Sequence, residues 1–356
     1  MSSDSILVIP GNQIKAVFKG REAQIIDAIE SAYLAHSAGK TVLPHSLFLR
    51  FPNNPVNRII ALPGYIEQQQ PVAGLKWISS FPANVGKDMD RASAVLILNS
   101  TESGVPEAIL EGSVISAQRT AASAALAARC LNPGRPYHSL GVIGCGYINY
   151  EICRFLAVGC PGISRIVLFD KDPGRAVQVA HGYADAYGIG SIQVAEEITE
   201  VFKTCDLISF ATTATSPHVE ELSLCPGSTV LHVSLRDLGT EVILSADNIV
   251  DDADHICRAQ TSLHLAEQHT GNRDFIRCSL ADILNGKQQP RCQERTSIFS
   301  PFGLGILDLA LGSFARSLVE ASEETFRVPS FLPDRWEHGL RAKNLKTGIT
   351  ADAALV

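Results

Sequence analysis

Residues Gly144-Cys145-Gly146-Tyr147-Ile148-Asn149 follow directly on the apolar run 139–143 (SLGVI) and lead into a helical stretch holding Glu151, Ile152 and Phe155. Strand, glycine turn and helix in that order make an anion site. The first glycine permits the tight turn, the second lets the backbone approach a pyrophosphate, and the N–H groups at the helix start are free to bind it. Gly144, Gly146, Tyr147 and Ile148 are therefore the expected dinucleotide contacts. A lone GxG is a weak signal, and Asp170 sharpens it. This residue ends the run RIVLFD, 26 residues past Gly144 (170 − 144), close to the offset of about 20 at which an acidic side chain meets the adenosine ribose hydroxyls. A carboxylate there repels a 2′-phosphate, so the expected cofactor is NAD rather than NADP, although Lys171 and Arg175 stand nearby. The third fingerprint position is Asn149 instead of Gly or Ala, which predicts slightly looser packing of helix on strand.

Three further side chains stand just past apolar runs, where open parallel sheets bind ligands. Thr212 follows LISFA and Ser234 follows TVLHV, and both read as cofactor contacts. Asp237 lies a little beyond Ser234. Its carboxylate could take a proton from a substrate amine and then activate water, or cap a helix beginning at Leu238; the residues alone leave both roles open. The ten histidines include no H-x-x-x-H or H-E-x-x-H spacing, so no metal site is expected. His232, inside an apolar run, reads as a core residue.

The elements that must carry these groups fall into two kinds. The run 6–9 (ILVI) reads as a strand and about 21–37 as a helix with apolar positions at helical spacing. Residues 58–63 (RIIALP), 72–78 (VAGLKWI), 94–99 (AVLILN) and 106–110 (PEAIL), bounded by Gly, Pro or Asn, read as strands of a meander. Residues 113–130 are Ala-rich without Gly or Pro, a long connecting helix stopped by Asn132-Pro133-Gly134. Beyond it the apolar runs 140–143, 165–169, 207–211 and 229–233 alternate with helical segments, which implies a parallel sheet of βαβ units. Residues 310–321 read as a helix that returns to the first domain, and the tail past Pro329 turns polar. The expected fold is thus α/β. A Rossmann-type domain of residues 131–301 is inserted into an α+β domain of residues 1–130, completed by 302–356.

Composition narrows the function. A chain of 356 residues exceeds a usual single core, and 46% hydrophobic with 19% charged residues is a folded balance, not a disordered one. A net charge of -7 argues against nucleic acid as partner. The nine cysteines are odd in number and contain no C-x-x-C pair, so neither a zinc site nor a disulfide framework is expected. Residues 1–10 lack a basic segment followed by an apolar core, and no apolar run reaches membrane-spanning length. The expectation is a soluble cytoplasmic protein acting on a small molecule.

The segments GLKWISSFPANVGKD (74–88), SAQRTAASAAL (116–126), GVIGCGYI (141–148), VSLRD (233–237) and FGLGILDLA (302–310) resemble, in that order, the ornithine cyclodeaminase / mu-crystallin family along nearly the whole chain. The resemblance implies that Lys76 lies against the substrate, where its ammonium binds a carboxylate and stabilises charge as an imine forms. Its neighbours Leu75, Trp77 and Ile78 would exclude water, and desolvation shifts a lysine pKa readily. Without the resemblance Lys76 is one lysine at a strand edge. Arg50 and Arg119 correspond to the family's carboxylate-binding arginines, a task suited to the guanidinium fork. Arg119 with Thr120 is also implied at the cofactor pyrophosphate, and the resemblance favours the catalytic role for Asp237.

Asp90-Arg91-Ala92-Ser93 is similar to members that oxidise N-(2-amino-2-carboxyethyl)-L-glutamate to 2,3-diaminopropionate, a siderophore and antibiotic precursor, and 2-oxoglutarate. Cyclodeaminases usually carry Thr where this chain has Arg91. The added cation suits a substrate with three carboxylates. The resemblance further implies hydride transfer to NAD, hydrolysis of the imine in a cleft between the domains, and a homodimer formed through the substrate domains. Its rivals are an ornithine cyclodeaminase, an alanine or ketimine dehydrogenase, or a non-catalytic binding protein. Arg91 speaks against a substrate ending in an ammonium, and Lys76 together with Asp237 speaks for catalysis.

Overall fold

The computed structural model describes residues 5–87, 89–187, 191–224, 227–288, 295–322 and 324–333. Asp88, Cys225, Cys292 and the part of the expected C-terminal segment beyond residue 333 lie outside the described residues.

The first sheet takes β1 (Ile6–Ile9), β2 (Thr41–Val42), β3 (Leu47–Phe51), β4 (Asn54–Ile66), β5 (Val72–Ser80), β6 (Ala92–Asn99) and β7 (Pro106–Glu111). Strands β4 to β7 form an antiparallel meander in which Leu62, Lys76, Leu96 and Leu110 lie side by side. β3 folds back on β4, and β1 joins β7 in parallel. β4 runs well past the apolar run 58–63 at both ends, because pairing with β3 and β5 recruits its polar and Gly-Pro-bearing flanks.

The second sheet holds β8 (Ser139–Ile143), β9 (Arg165–Phe169), β10 (Ser191–Val194), β11 (Leu207–Phe210), β12 (Thr229–His232), β13 (Asp247–Val250), β14 (Ile276–Ser279) and β15 (Ser297–Ser300). Its order is β10-β9-β8-β11-β12-β15-β13-β14, and every pair is parallel. The first five strands follow the doubly wound nucleotide-binding order, whose direction reverses between β8 and β11 and opens a crevice there. β11, β12, β13 and β15 are buried throughout, but only β8, β9, β11 and β12 read as apolar runs; β10, β13, β14 and β15 are short and interrupted by polar residues such as Asp247, Asn248, Ser297 and Ser300. A last strand, β16 (Arg327–Val328), pairs antiparallel with β1.

The connecting helix Gly112–Leu131 is buried on almost every side, and its small alanines let neighbours approach all round. It touches β5 and β6 of the first sheet and β12 and β15 of the second, so it forms their common wall. The Glu111 side chain caps it, accepting from Ser113 N at 2.7 Å and Val114 N at 3.0 Å. A closing helix, Gly305–Glu320, begins five residues before the expected 310, with Leu304 as its N-cap and Gly305-Ile306-Leu307-Asp308 as its first turn. This helix lies over Gly64 and Gly74, which face each other across β4 and β5. A Cβ on Gly74 would stand 2.9 Å from Leu309 Cδ2 and 2.2 Å from Ile97 O. The missing side chain lets the helix settle onto the sheet, bringing Asp308 up to Lys76.

Candidate active site

Lys76 points to the inner face of β5 and is 2% exposed, while Trp77 beside it faces out. Its Nζ donates to Asp308 Oδ2 at 2.6 Å and to Ser116 Oγ at 3.3 Å. Arg119 Nε donates to the other oxygen, Asp308 Oδ1, at 3.3 Å. Two cations and one anion are thus enclosed together. Burial brings the Lys76 pKa down to about 8, with the Arg119 charge acting the same way and Asp308 opposing both. The sequence leaves the protein partner of Lys76 unassigned, and the structure supplies it as a carboxylate brought in by the closing helix. Asp308 had a signal in sequence: a lone acid inside GILDLALG needs a partner if its helix face is buried.

Arg119 also carries the start of the closing helix on its guanidinium. Gly303 has φ +93, and a Cβ there would meet Arg119 Nη1 at 2.7 Å. The Asp251 carboxylate holds this turn by accepting from Phe302 N at 2.9 Å and Gly303 N at 2.7 Å. Burial raises the Asp251 pKa to about 6 despite those bonds. Thr120, expected at the pyrophosphate, donates its hydroxyl to Ser116 O at 2.7 Å within its own helix.

At the crevice, Gly144 has φ +88, and a Cβ would strike Ala211 O at 2.7 Å, so only glycine fits. Around Gly146 nothing lies within 4 Å of an added Cβ. The helix Tyr147–Gly159 begins there with no side-chain cap, leaving its first N–H groups for an anion. Asp170 accepts from Cys145 N at 2.6 Å and from Asp172 N at 3.0 Å, which fixes its carboxylate beside the turn. Arg175 Nε donates to Cys145 O at 3.0 Å, so this cation is engaged with the turn backbone. These residues fit a dinucleotide. Asn149 corrects the expectation of loose packing: it is fully buried, donates to Ile143 O at 3.0 Å and Gly144 O at 2.8 Å, and accepts from Ser209 Oγ at 2.7 Å. Its amide stitches helix, turn and β11 together.

Asp237 has no exposure. The hydroxyls of Thr212 and Ser234 both donate to its carboxylate. Those two residues, expected as cofactor contacts, direct their hydroxyl hydrogens to Asp237. The following helix starts at Thr240 with Gly239 as its N-cap, so the capping alternative for Asp237 is excluded. His232 is a core residue as expected, but a working polar one. Its Nδ1 lies 3.2 Å from Ser300 Oγ, and its Nε2 lies 3.3 Å from the Asp237 amide nitrogen and 3.4 Å from Oδ2. Burial lowers its pKa. For Asp237 burial acts to raise the pKa, but hydrogen bonds from His232, Ser234 and Thr212 outweigh it and hold the carboxyl below its ordinary value.

Arg50 and Arg91 sit at one end of the first sheet. Arg50 lies opposite Arg58 in register, with its guanidinium 5.3 Å from the Phe48 ring centre. Arg91 precedes β6, its carbonyl accepting from Phe81 N at 2.8 Å. Arg58 and Arg236, not singled out from sequence, lie close enough to feel the charge of these two.

A doubly wound parallel sheet with a glycine turn at its reversal, joined to a mixed sheet through one buried helix, defines a Rossmann-type nucleotide-binding protein with an added α+β domain. The chain belongs to the ornithine cyclodeaminase/mu-crystallin family, whose sequence model matches residues 14–323. It is 27% identical over 303 residues to the N-((2S)-2-amino-2-carboxyethyl)-L-glutamate dehydrogenase of Staphylococcus aureus, covering 83% of this chain and 90% of that one. Two solved structures share the fold. The Delta(1)-pyrroline-2-carboxylate reductase of Thermococcus litoralis, in complex with NADH and L-proline, has a TM-score of 0.84 at 22% identity, covering 91% of this chain and 100% of its own. An archaeal alanine dehydrogenase dimer with bound NAD has a TM-score of 0.81 at 22% identity, covering 91% and 99%. Among the described residues, no helix is long and apolar enough to cross a membrane.

Proposed function

We propose that this chain is an NAD-dependent amino-acid dehydrogenase that oxidises N-(2-amino-2-carboxyethyl)-L-glutamate at the glutamyl Cα–N bond. Hydrolysis of the resulting imine then yields 2,3-diaminopropionate and 2-oxoglutarate. The observation that carries the reading is the enclosed Lys76–Asp308–Arg119 cluster, which places a lysine with a pKa of about 8 next to a carboxylate-binding guanidinium. An acid–base group is most effective when its pKa lies near the working pH.

The turn at Gly144 and Gly146 and the helix start at Tyr147 and Ile148 hold the pyrophosphate, and Asp170 takes the ribose hydroxyls. NAD, when bound, supplies the hydride acceptor for the substrate Cα–H. Lys76 in its neutral form takes the amine proton as the C=N bond forms. Asp237, kept ionised by its hydroxyl partners, orients a water at the imine carbon and receives its proton. The C–N bond then breaks, with the amine leaving protonated. Substrate, NAD+ and water thus give the two products, NADH and one proton. Arg119, Arg91 and Arg50 bind the carboxylates.

The two sheets share no strand, which supports dividing the chain into a substrate domain of residues 1–130 with 302–356 and a nucleotide domain of 131–301. Leu47, Leu49 and Trp77 are exposed on one face of β3 and β5. That apolar outer face supports a homodimer through the substrate domains. A small polar substrate and NAD support a cytoplasmic reaction.

The test is turnover of the purified protein with NAD and each candidate substrate. The adduct should give NADH and 2-oxoglutarate in equal amounts, with alanine and ornithine far slower. Arg91→Thr should raise the Michaelis constant for the adduct about ten- to hundred-fold. Faster conversion of ornithine to proline would replace this reading with a cyclodeaminase.

A further inference from the structure

Three arginines lie at one end of the first sheet, two on adjacent strands and one just before β6. Arg50 on β3 lies directly opposite Arg58 on β4, and Arg58 lies opposite Ser80 on β5. The next residue, Phe81, is hydrogen-bonded to Arg91. Because Leu62 faces Lys76 and Arg58 is four residues before Leu62, Arg58 shares the face of Lys76, roughly 13 Å along the strand. Arg236 comes from the second sheet, next to Asp237, with its Nη2 donating to Ala259 O at 2.7 Å. Among the described residues none of the ion pairs includes any of the four. Arg58 Nε is buried and has no hydrogen-bond partner.

We propose that Arg58 and Arg236 complete, with Arg50 and Arg91, one anion site built from both domains, which takes the far carboxylates of a di- or tricarboxylic substrate. The cluster is costly without a ligand: burial and the charges of Arg236, Arg91 and Arg50 bring the Arg58 pKa down to about 10. Burial and the charges of Arg91 and Arg50 likewise lower that of Arg236, with the Asp237 charge only partly opposing them. A bound dianion removes that repulsion and supplies the acceptor that Arg58 Nε lacks. Arg50 is exposed, whereas Arg58, Arg91 and Arg236 are half-buried and Arg236 is fixed by its hydrogen bond to the Ala259 carbonyl. The inference deepens the proposed function and rests on it in taking the ligand to be the substrate.

The experiment titrates 2-oxoglutarate, and 2-oxopentanoate as its monocarboxylate counterpart, into the full chain saturated with NADH, by calorimetry. The native protein should bind 2-oxoglutarate at least about ten-fold more tightly than 2-oxopentanoate. Arg58→Gln and Arg236→Gln should each bring that ratio down about ten-fold while 2-oxopentanoate affinity and melting temperature do not fall, and Arg58→Lys should restore part of the ratio. An unchanged ratio in both glutamine variants overturns the site. If the adduct is not oxidised and yet the ratio falls in both variants, the anion site stands and the substrate reading fails. If the adduct is oxidised with an unchanged Michaelis constant in both variants, the anion site fails and the substrate reading stands.

Discussion

Asp308 and Asp237 are both closed off from solvent, but the chain answers their charges in different ways. Asp308 is met by two full cations, Lys76 and Arg119. Asp237 is met by two hydroxyls and a buried imidazole. The first arrangement shares charge among ionisable partners, so the proton on Lys76 is held loosely enough to move near neutral pH. The second holds a carboxylate chiefly by hydroxyl hydrogen bonds rather than by a directly bonded lysine or arginine, so the negative charge itself is what the site retains. On the proposed reading, the two groups that accept protons, Lys76 and Asp237, thereby come from different sheets.

The largest effect should come from breaking the cation-paired side. Asp308→Ala leaves Lys76 and Arg119 enclosed without their anion and should lower unfolding stability by about 3 to 5 kcal/mol, as measured by urea denaturation. The pair Lys76→Met with Asp308→Leu removes one of the two stranded cations and should recover part of that loss. A double variant as unstable as the single one would show that the pair is not the source of the cost.

On the hydroxyl-held side the effect should fall on rate instead. Asp237→Asn keeps the shape of the side chain and should reduce turnover about a hundred- to ten-thousand-fold, with NAD affinity nearly unchanged in fluorescence titration. Retained turnover would assign the water-activating role elsewhere. Smaller still is the effect expected at Asp170, which on the proposed reading meets only the cofactor ribose. Asp170→Ala should narrow the preference for NAD over NADP by about ten-fold in paired dissociation constants, and an unaltered preference would move that selectivity to another residue.

These two sides differed in how far they could be read from sequence. The nucleotide turn is local: Gly144, Gly146 and the end of an apolar strand stand within a few residues, and β8, β9, β11 and β12 are legible as apolar runs, whereas the buried β13 and β15 carry Asp247, Asn248, Ser297 and Ser300 and are not. The Lys76 cluster is not local, since Asp308 is 232 residues away and Ser116 is 40 away. Only an ordered set of segments resembling a family tied them together, and even that left the partner of Lys76 unassigned. Asn149 was misread for the same reason. Seen beside the glycine fingerprint it looks like a packing defect, and its compensating partner Ser209 lies 60 residues on, in another strand. Arg58 and Arg236 depend on strand register and on the approach of the two sheets, neither of which composition encodes.

The most direct test of the cation-paired account is the pH dependence of kcat/KM for the adduct, in the native chain and in Asp308→Asn. If neutral Lys76 takes the amine proton, the native profile should rise through an ionisation near its pKa of about 8. The Asp308 charge raises that pKa, so the isosteric amide should shift the rise to lower pH. A profile without an ionisation in that region, or one that Asp308→Asn leaves in place or moves to higher pH, would contradict the role given to Lys76.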